Sequence, residues 1–274
     1  MRKLTSRTLP SFSAISLVLL LASINSTRAT TIVVARTSTE IVIGADSKVT
    51  DSYGKALNSE TCKIQQVGNL FIAFEGLLRD KKTGFVVADI ARRALQLKFD
   101  GTAAERVSIL TGFLTTALVN ELIQVKRNSP DEFQKKLEGR TFLRVVVAGF
   151  EKNKPVVFVR NFRMALVAGK MAVTVIPDDC LDDCQGDVVT RFLGETAAID
   201  GLPEETPGFW TEGVVAGVRR LLEVEIMARS EYVGPPIDIL RIDAKGAKWV
   251  QKKAQCPAIQ PLPRRSTSPR KRAR

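Results

Sequence analysis

Residues 30–48 read TTIVVARTSTEIVIGADSK, and this stretch decides the fold. Two segments rich in β-branched residues, 31–35 and 40–44, flank the polar residues 36–39. β-branched runs joined by a short polar connection are typical of an antiparallel hairpin. We therefore expect a strand pair that starts at residue 31, and a third strand at 70–74 after a turn-rich segment.

Helical periodicity marks the next part of the chain. Residues 81–97 and 103–125 carry apolar side chains at the spacing of one helix face, which predicts two consecutive helices. The clearest series consists of Leu110, Leu114, Leu118 and Leu122.

The second half of the chain returns to strands. The segments 141–150 and 155–159 are rich in Val and Phe and are joined by a polar tetrapeptide, which predicts another hairpin. The elements predicted after it are a helix at 209–228 and strands at 237–242 and 248–250. Strands and helices grouped in runs favour an α+β fold, with antiparallel sheets covered by helices.

The net charge of +12 lies mostly at the two ends of the chain. Four Arg or Lys residues precede Thr30 and six follow Pro263, with no acidic residue at either end, so residues 30–263 carry a net charge of only +2. A domain that neutralises many phosphates has a broad basic surface. We therefore expect no nucleic-acid partner for the domain, and we predict that the tail 256–274 is disordered.

The first 29 residues have the composition of a secretory signal peptide. A basic start is followed by an apolar run at 14–24 and by a short polar stretch that ends in Ala29. The apolar run is about half of the roughly 20 residues that a membrane-spanning helix needs. We expect export to the periplasm or the extracellular space, membrane contact only during export, and no later segment apolar enough to span.

The chain contains four cysteines and no histidine. Disulfides persist outside the cytoplasm, and Cys180 and Cys184 are the pair that we expect to bond. Without histidine and without a second close cysteine pair, the sequence predicts no metal site and no cofactor. The absence of histidine also excludes Ser-His-Asp and Cys-His hydrolase mechanisms.

The start of residues 30–48 resembles the proteasome β-subunits and the related ring protease of bacteria, which are N-terminal-nucleophile (Ntn) hydrolases. The shared pattern is a threonine pair, a hairpin and an Ala-Asp-Ser turn, with Thr30 sixteen residues before Asp46. Further similarity extends to about residue 251. The resemblance implies a four-layer αββα sandwich with two mainly antiparallel sheets over residues 30–255.

The resemblance also implies roles for four residues. Thr30 is similar to the nucleophile, Lys63 to a buried lysine that favours loss of the hydroxyl proton, and Asp46 to the partner of that ammonium. Gly76 is similar to the residue whose backbone N–H binds the oxyanion.

Part of the chain departs from the family pattern. Ser230 and Val233 stand where the family has an aspartate and a serine that support the terminal threonine. We consider Glu231 as a substitute acid and Thr196 as a substitute hydroxyl, with Ser230 as a third supporting residue.

A threonine hydroxyl is a weak nucleophile at neutral pH and needs a base. The α-amino group of a chain that begins at Thr30 has a pKa of about 7.7–8.0, so part of it is neutral and able to accept the hydroxyl proton. This mechanism requires a cut directly after Ala29, which is where signal peptidase would cleave the chain.

The sequence thus predicts an exported threonine peptidase or amidase that acts on peptides or unfolded proteins through an acyl-enzyme. A homo-oligomeric ring is a further expectation from the resemblance. The alternative is a non-catalytic structural subunit of the same fold, and a third possibility is a basic tail that binds anionic polymers or lipid headgroups.

Overall fold

A computed structural model of the protein describes residues 30–50, 56–57, 62–80, 83–98, 100–181, 184 and 186–260. The hairpin predicted at its start is present as two antiparallel strands, β1 (Thr31–Arg36) and β2 (Glu40–Ala45). Both strands are almost fully buried, which agrees with their continuous runs of β-branched residues. The leader 1–29 and residues 261–274 of the tail lie outside the described residues.

Nine helices and strands follow in the first part of the described chain. They are β3 (Val49–Thr50), β4 (Ala56–Leu57), β5 (Ile64–Val67), β6 (Leu70–Gly76), β7 (Arg79–Asp80), β8 (Phe85–Val86), α1 (Val87–Gln96), α2 (Ala103–Asn128) and α3 (Pro130–Lys136). The second part contains β9 (Thr141–Glu151), β10 (Lys154–Val167), β11 (Lys170–Pro177), β12 (Val189–Gly194), α4 (Leu202–Glu205), α5 (Val214–Ala228), β13 (Asp238–Asp243) and β14 (Gly246–Gln251).

Ten of these strands form two five-stranded antiparallel sheets. The order in the first sheet is β12-β1-β2-β13-β14, and the order in the second is β11-β10-β9-β6-β5. The protein is therefore an α+β fold with two large antiparallel sheets, as predicted. The turn between β9 and β10 has Lys152 and Asn153 at positive φ, as a tight two-residue hairpin connection requires.

Three clusters of buried side chains hold the layers together. One cluster contains residues of both sheets, such as Ile43 of β2 and Val146 of β9, so the sheets face each other across it. The opposite face of the second sheet packs against α1 and α2, where Leu110 and Leu118 are fully buried. The opposite face of the first sheet packs against α5 through residues such as Val218. Each sheet is thus covered by helix on its far side.

Some predicted boundaries were wrong. The helix predicted from residue 81 begins at Val87, because β7 and β8 pair as a short hairpin around Gly84, whose φ is +73°. The helix predicted from 209 begins at Val214, because turns occupy the preceding residues. The strand predicted at 155–159 continues to Val167, where its second half pairs with β11.

Two further expectations from the sequence need correction. By length and composition α2 is apolar enough to cross a membrane, although no later segment was expected to be. Its leucines are buried against the second sheet and α1, which accounts for its apolar composition. The start of the tail also contacts the domain, since Gln260 exchanges two hydrogen bonds with Gln66, at 2.7 and 2.9 Å.

Candidate functional site

Asp46 is the centre of the candidate site. Strand β2 ends at Ala45, which lies opposite Ile32 of β1, so the next residue, Asp46, lies beside Thr31. The Asp46 carboxylate is fully buried and accepts three backbone hydrogen bonds. The donors are the N–H groups of Thr31 to Oδ1 at 2.9 Å, of Lys48 to Oδ2 at 2.9 Å and of Gly234 to Oδ2 at 3.3 Å. These bonds fix the carboxylate between three segments of the chain.

Lys63 completes this centre from the other sheet. It directly precedes β5, and its Nζ lies 2.5 Å from Asp46 Oδ1 and 2.8 Å from the Lys48 carbonyl oxygen. The ion pair therefore crosses from one sheet to the other. Burial lowers the pKa of Lys63 below its usual value, and the attraction of Asp46 opposes that effect. The family resemblance predicted both members of this pair.

Thr30 lies at the same end of the first sheet. It directly precedes β1, is buried, and accepts a hydrogen bond at its carbonyl oxygen from the Glu195 N–H at 2.8 Å. Asp46 Oδ1 binds both the Thr31 N–H and the Lys63 ammonium. Because one oxygen accepts both bonds, the ammonium lies close to the peptide that joins Thr30 to Thr31.

Two glycines define the space around Thr30. Gly194 ends β12 at a φ of +92°, and a Cβ built there would lie 1.7 Å from the Thr30 carbonyl oxygen and 3.2 Å from Cγ of Glu75. Gly76 directly follows Glu75 and has a φ of +107°. Glu75 therefore lies next to Gly194, and the end of β6 that carries Gly76 lies near Thr30. Both positions favour glycine because of their backbone conformation.

The predicted supporting side chains do not join this group. Ser230 is exposed and contributes its carbonyl oxygen, which accepts a bond from Lys48 Nζ at 2.6 Å. The Glu231 side chain is 54% exposed and lies 3.9 Å from Arg229. The Thr196 hydroxyl donates to Asp200 at 3.4 Å. The support seen at Asp46 comes instead from backbone groups, which include the N–H groups of Thr31, Lys48 and Gly234.

Charged residues to which the sequence assigned no role also lie around the site. Glu195 forms an ion pair with Arg229 at 3.2 Å, and its carbonyl accepts the Thr31 hydroxyl at 2.5 Å. Glu75 is buried, and Arg144 Nε lies 4.0 Å from its carboxylate. The signal that could have found Glu75 is an acidic residue at the end of the apolar run 70–74.

A cleft adjoins this group of residues. It has a volume of about 530 Å³ and opens between β12 and strands of the second sheet. Leu193, the neighbour of Gly194, lines it together with Arg144 and Arg191. Arg191 forms an ion pair with Asp178 at 3.0 Å. The cleft therefore combines apolar, cationic and anionic surface next to the Thr30 region.

The four cysteines form two disulfides. Cys180 bonds to Cys184, as predicted, and Cys62 bonds to Cys256. Both sulfurs of the second disulfide lie within 4.8 Å of an Asp238 carboxylate oxygen, a spacing that a metal ion could bridge. Because these sulfurs are bonded to each other, they are not thiolate ligands.

The arrangement joins a threonine, a buried ammonium and its carboxylate at one end of the two facing sheets. No protein-family model matches this chain, and no curated protein matches it at a significant level.

Proposed function

We propose that the protein is an Ntn hydrolase of the proteasome β-subunit type, with the four-layer αββα sandwich of that family. In this proposal it is an exported threonine peptidase or amidase whose nucleophile is the hydroxyl of Thr30. The observation that carries the proposal is the Asp46 carboxylate, which binds the Lys63 ammonium and the N–H of the residue after Thr30 through one oxygen.

The reaction begins at a chain from which residues 1–29 have been removed. The neutral α-amine of Thr30 accepts the hydroxyl proton, directly or through a water, while Oγ1 attacks the carbonyl carbon of an amide. The tetrahedral oxyanion accepts a hydrogen bond from the Gly76 N–H. As the C–N bond breaks, the leaving amine takes the proton from the α-ammonium, and an ester remains on Thr30. Water then hydrolyses the ester and restores the hydroxyl.

Lys63 supplies positive charge next to the nucleophile. A nearby ammonium favours deprotonation of the hydroxyl, and Asp46 keeps that ammonium charged against the effect of burial. Since the folded protein lowers the pKa of Lys63, the ammonium is lost at a lower pH than that of a free lysine. As the pH rises, activity is therefore expected to increase while the α-amine loses its proton. It is expected to decrease in alkaline solution, where the Lys63 ammonium loses its proton.

Substrate reaches Thr30 through the adjoining cleft in this proposal. The cleft offers Arg144 and Arg191 as cationic groups and Leu193 as apolar surface. Peptides or unfolded chains are the proposed substrates, because the mechanism needs only an accessible amide carbonyl. Assembly into a homo-oligomeric ring is proposed from the family resemblance alone.

The test uses protein purified from the exported fraction. N-terminal sequencing is expected to give Thr30 as the first residue, and a β-lactone that acylates nucleophilic hydroxyls is expected to modify Thr30. A first residue at Thr31 or later would refute the enzyme. Correctly processed protein that forms no adduct would instead favour the structural subunit, which the exposed Ser230 and Glu231 side chains also favour.

A further inference from the structure

A second buried ion pair lies beside the first. Lys253 Nζ is 2.9 Å from Asp238 Oδ2, and the Lys253 N–H donates to Asp238 Oδ1 at 2.8 Å. The two side chains are 1% and 0% exposed. Asp238 lies opposite Ala45 across β13 and β2, one residue from Asp46. The two carboxylates therefore occupy neighbouring strands at the same end of the first sheet.

A disulfide connects the two lysines through the backbone. Cys62 directly precedes Lys63, and Cys256 follows Lys253 by three residues in a turn closed by a hydrogen bond of 3.2 Å between the two residues. The disulfide joins positions that are 194 residues apart in the sequence. It fixes the segment that carries Lys253 against the segment that carries Lys63.

The charges that act on Lys63 come from three neighbouring segments. Asp46 follows β2, Asp238 begins β13 and Lys253 follows β14, whereas the Lys48 ammonium is bound to the Ser230 carbonyl. After burial and Asp46, the next influences on the pKa of Lys63 are Lys253, which lowers it, and Asp238, which raises it. Because Asp238 lies opposite Ala45 and the disulfide joins the segments of Lys63 and Lys253, the second pair lies beside the first.

We propose that Lys253 and Asp238 are positioning residues that set the charge on Lys63, and that the Cys62–Cys256 disulfide holds them beside it. The use of that charge in catalysis rests on the proposed function. Neither residue takes part in the reaction steps. Opposite charges at fixed positions act on Lys63 in opposite directions, so each has an effect that the other cancels in part.

Single substitutions test the proposal by the sign of their effects. In the mature chain, the titration of Lys63 is followed by NMR of its side-chain carbons. Asp238→Asn removes the anionic carboxylate beside Lys253 and is expected to lower the midpoint pH of the Lys63 titration by about one pH unit. Lys253→Met leaves the Asp238 anion and is expected to raise it by about the same amount. Shifts in one direction, or none, would overturn the proposal.

A double variant keeps the test available where a single variant does not fold. Lys253→Met combined with Asp238→Asn leaves no unpaired charge in the second pair. All proteins carry Cys180→Ser and Cys184→Ser, so that dithiothreitol reduces only the remaining disulfide, with oxidation of the reagent to its own disulfide. In the protein that keeps Lys253 and Asp238, reduction is expected to shift the midpoint pH of the Lys63 titration by roughly half a pH unit. In the double variant the shift is expected to be smaller. Equal movement in both proteins would contradict the proposal.

The measurement separates this proposal from the proposed function. Lys63 titrates whether or not the protein is an enzyme, so opposite shifts without β-lactone adduct would support the positioning pair and refute the hydrolase. If the enzyme is active, the alkaline limb of kcat/KM is expected to follow the Lys63 titration in each variant. If the enzyme is active but the alkaline limb of its kcat/KM profile does not shift in the variants, the hydrolase proposal would be retained. The positioning role of Lys253 and Asp238 in catalysis would then be refuted.

Discussion

The surroundings of Asp46 differ from the loops at 195–200 and 229–234. Around Asp46, the predicted residue Lys63 belongs to a hydrogen-bonded group that includes the N–H of Thr31, the residue after Thr30. In the loops, the side chains of Ser230 and Glu231 are exposed, and backbone groups take their place. The difference shows that sheet register positions side chains next to strand ends, whereas a loop can supply the same support without any particular side chain.

The largest expected effect comes from removing the proposed nucleophile. Thr30→Ala is expected to lower kcat/KM by on the order of 10³-fold or more, because the hydroxyl that is proposed to form the acyl-enzyme is lost. Thr30→Ser keeps a hydroxyl at the same position and is the matched control, so it should retain measurable turnover. Assays of amide hydrolysis on processed protein provide the comparison, and an alanine variant as active as the serine variant would refute the assigned nucleophile.

Removing the buried cation is expected to have the next largest effect. Lys63→Met leaves the Asp46 carboxylate buried without its partner and should lower the free energy of unfolding by about 3–5 kcal/mol. Lys98→Met is the control, because it removes the lysine of an exposed pair, Lys98 and Glu105, with a similar separation of 2.6 Å. That change should cost far less, because solvent screens an exposed ion pair. Denaturant unfolding measures both variants. Comparable losses in the free energy of unfolding would mean that the buried pair contributes no more to stability than the exposed pair.

The glycine next to Thr30 allows a test of packing at the site. Gly194→Ala would place a Cβ 1.7 Å from the Thr30 carbonyl oxygen, so Thr30 must move and activity should fall. Gly213→Ala is a matched control at the same φ of +92°, where nothing lies within 4 Å of the added Cβ. The control should show only the backbone cost, about 1–3 kcal/mol. Thermal unfolding and activity assays compare the two, and an equal effect on both would show that the contact with Thr30 is not critical.

The smallest effects are expected in the loop at 229–234. Ser230→Ala keeps the carbonyl that binds Lys48, and Glu231→Gln changes an exposed side chain, so each should alter stability by no more than about 0.5 kcal/mol. Activity should stay within about twofold of the parent protein. A loss of activity above tenfold in either variant would show that these side chains support Thr30 after all.

Much of the fold followed from local patterns. The β-branched runs before and after residues 36–39 predicted β1 and β2, and the register of that hairpin placed Asp46 beside Thr31. The leucine series predicted α2, since its apolar stripe is what packs against the second sheet. These features depend on short-range periodicity, which a single sequence contains.

Other features depend on contacts between distant parts of the chain. The Lys253–Asp238 pair and the Cys62–Cys256 disulfide join segments whose proximity is set by the order of strands within the sheet, which no local pattern specifies. Strand β12 carries Thr190 and Arg191 and lacks the continuous apolar character of β1, so it was not predicted. Lys63 was predicted from family resemblance, because a lone lysine before a strand has no local signal.

The ion pair between Asp46 and Lys63 has a consequence for when the proposed enzyme would become active. Its two members belong to different layers, and only the docking of those layers brings the ammonium close to the peptide that joins Thr30 to Thr31. If the protein is exported and cut after Ala29 as proposed, a chain that has been cut but has not finished folding has a terminal threonine without the nearby cation. The proposed proteolytic activity would therefore be expected only once folding is complete.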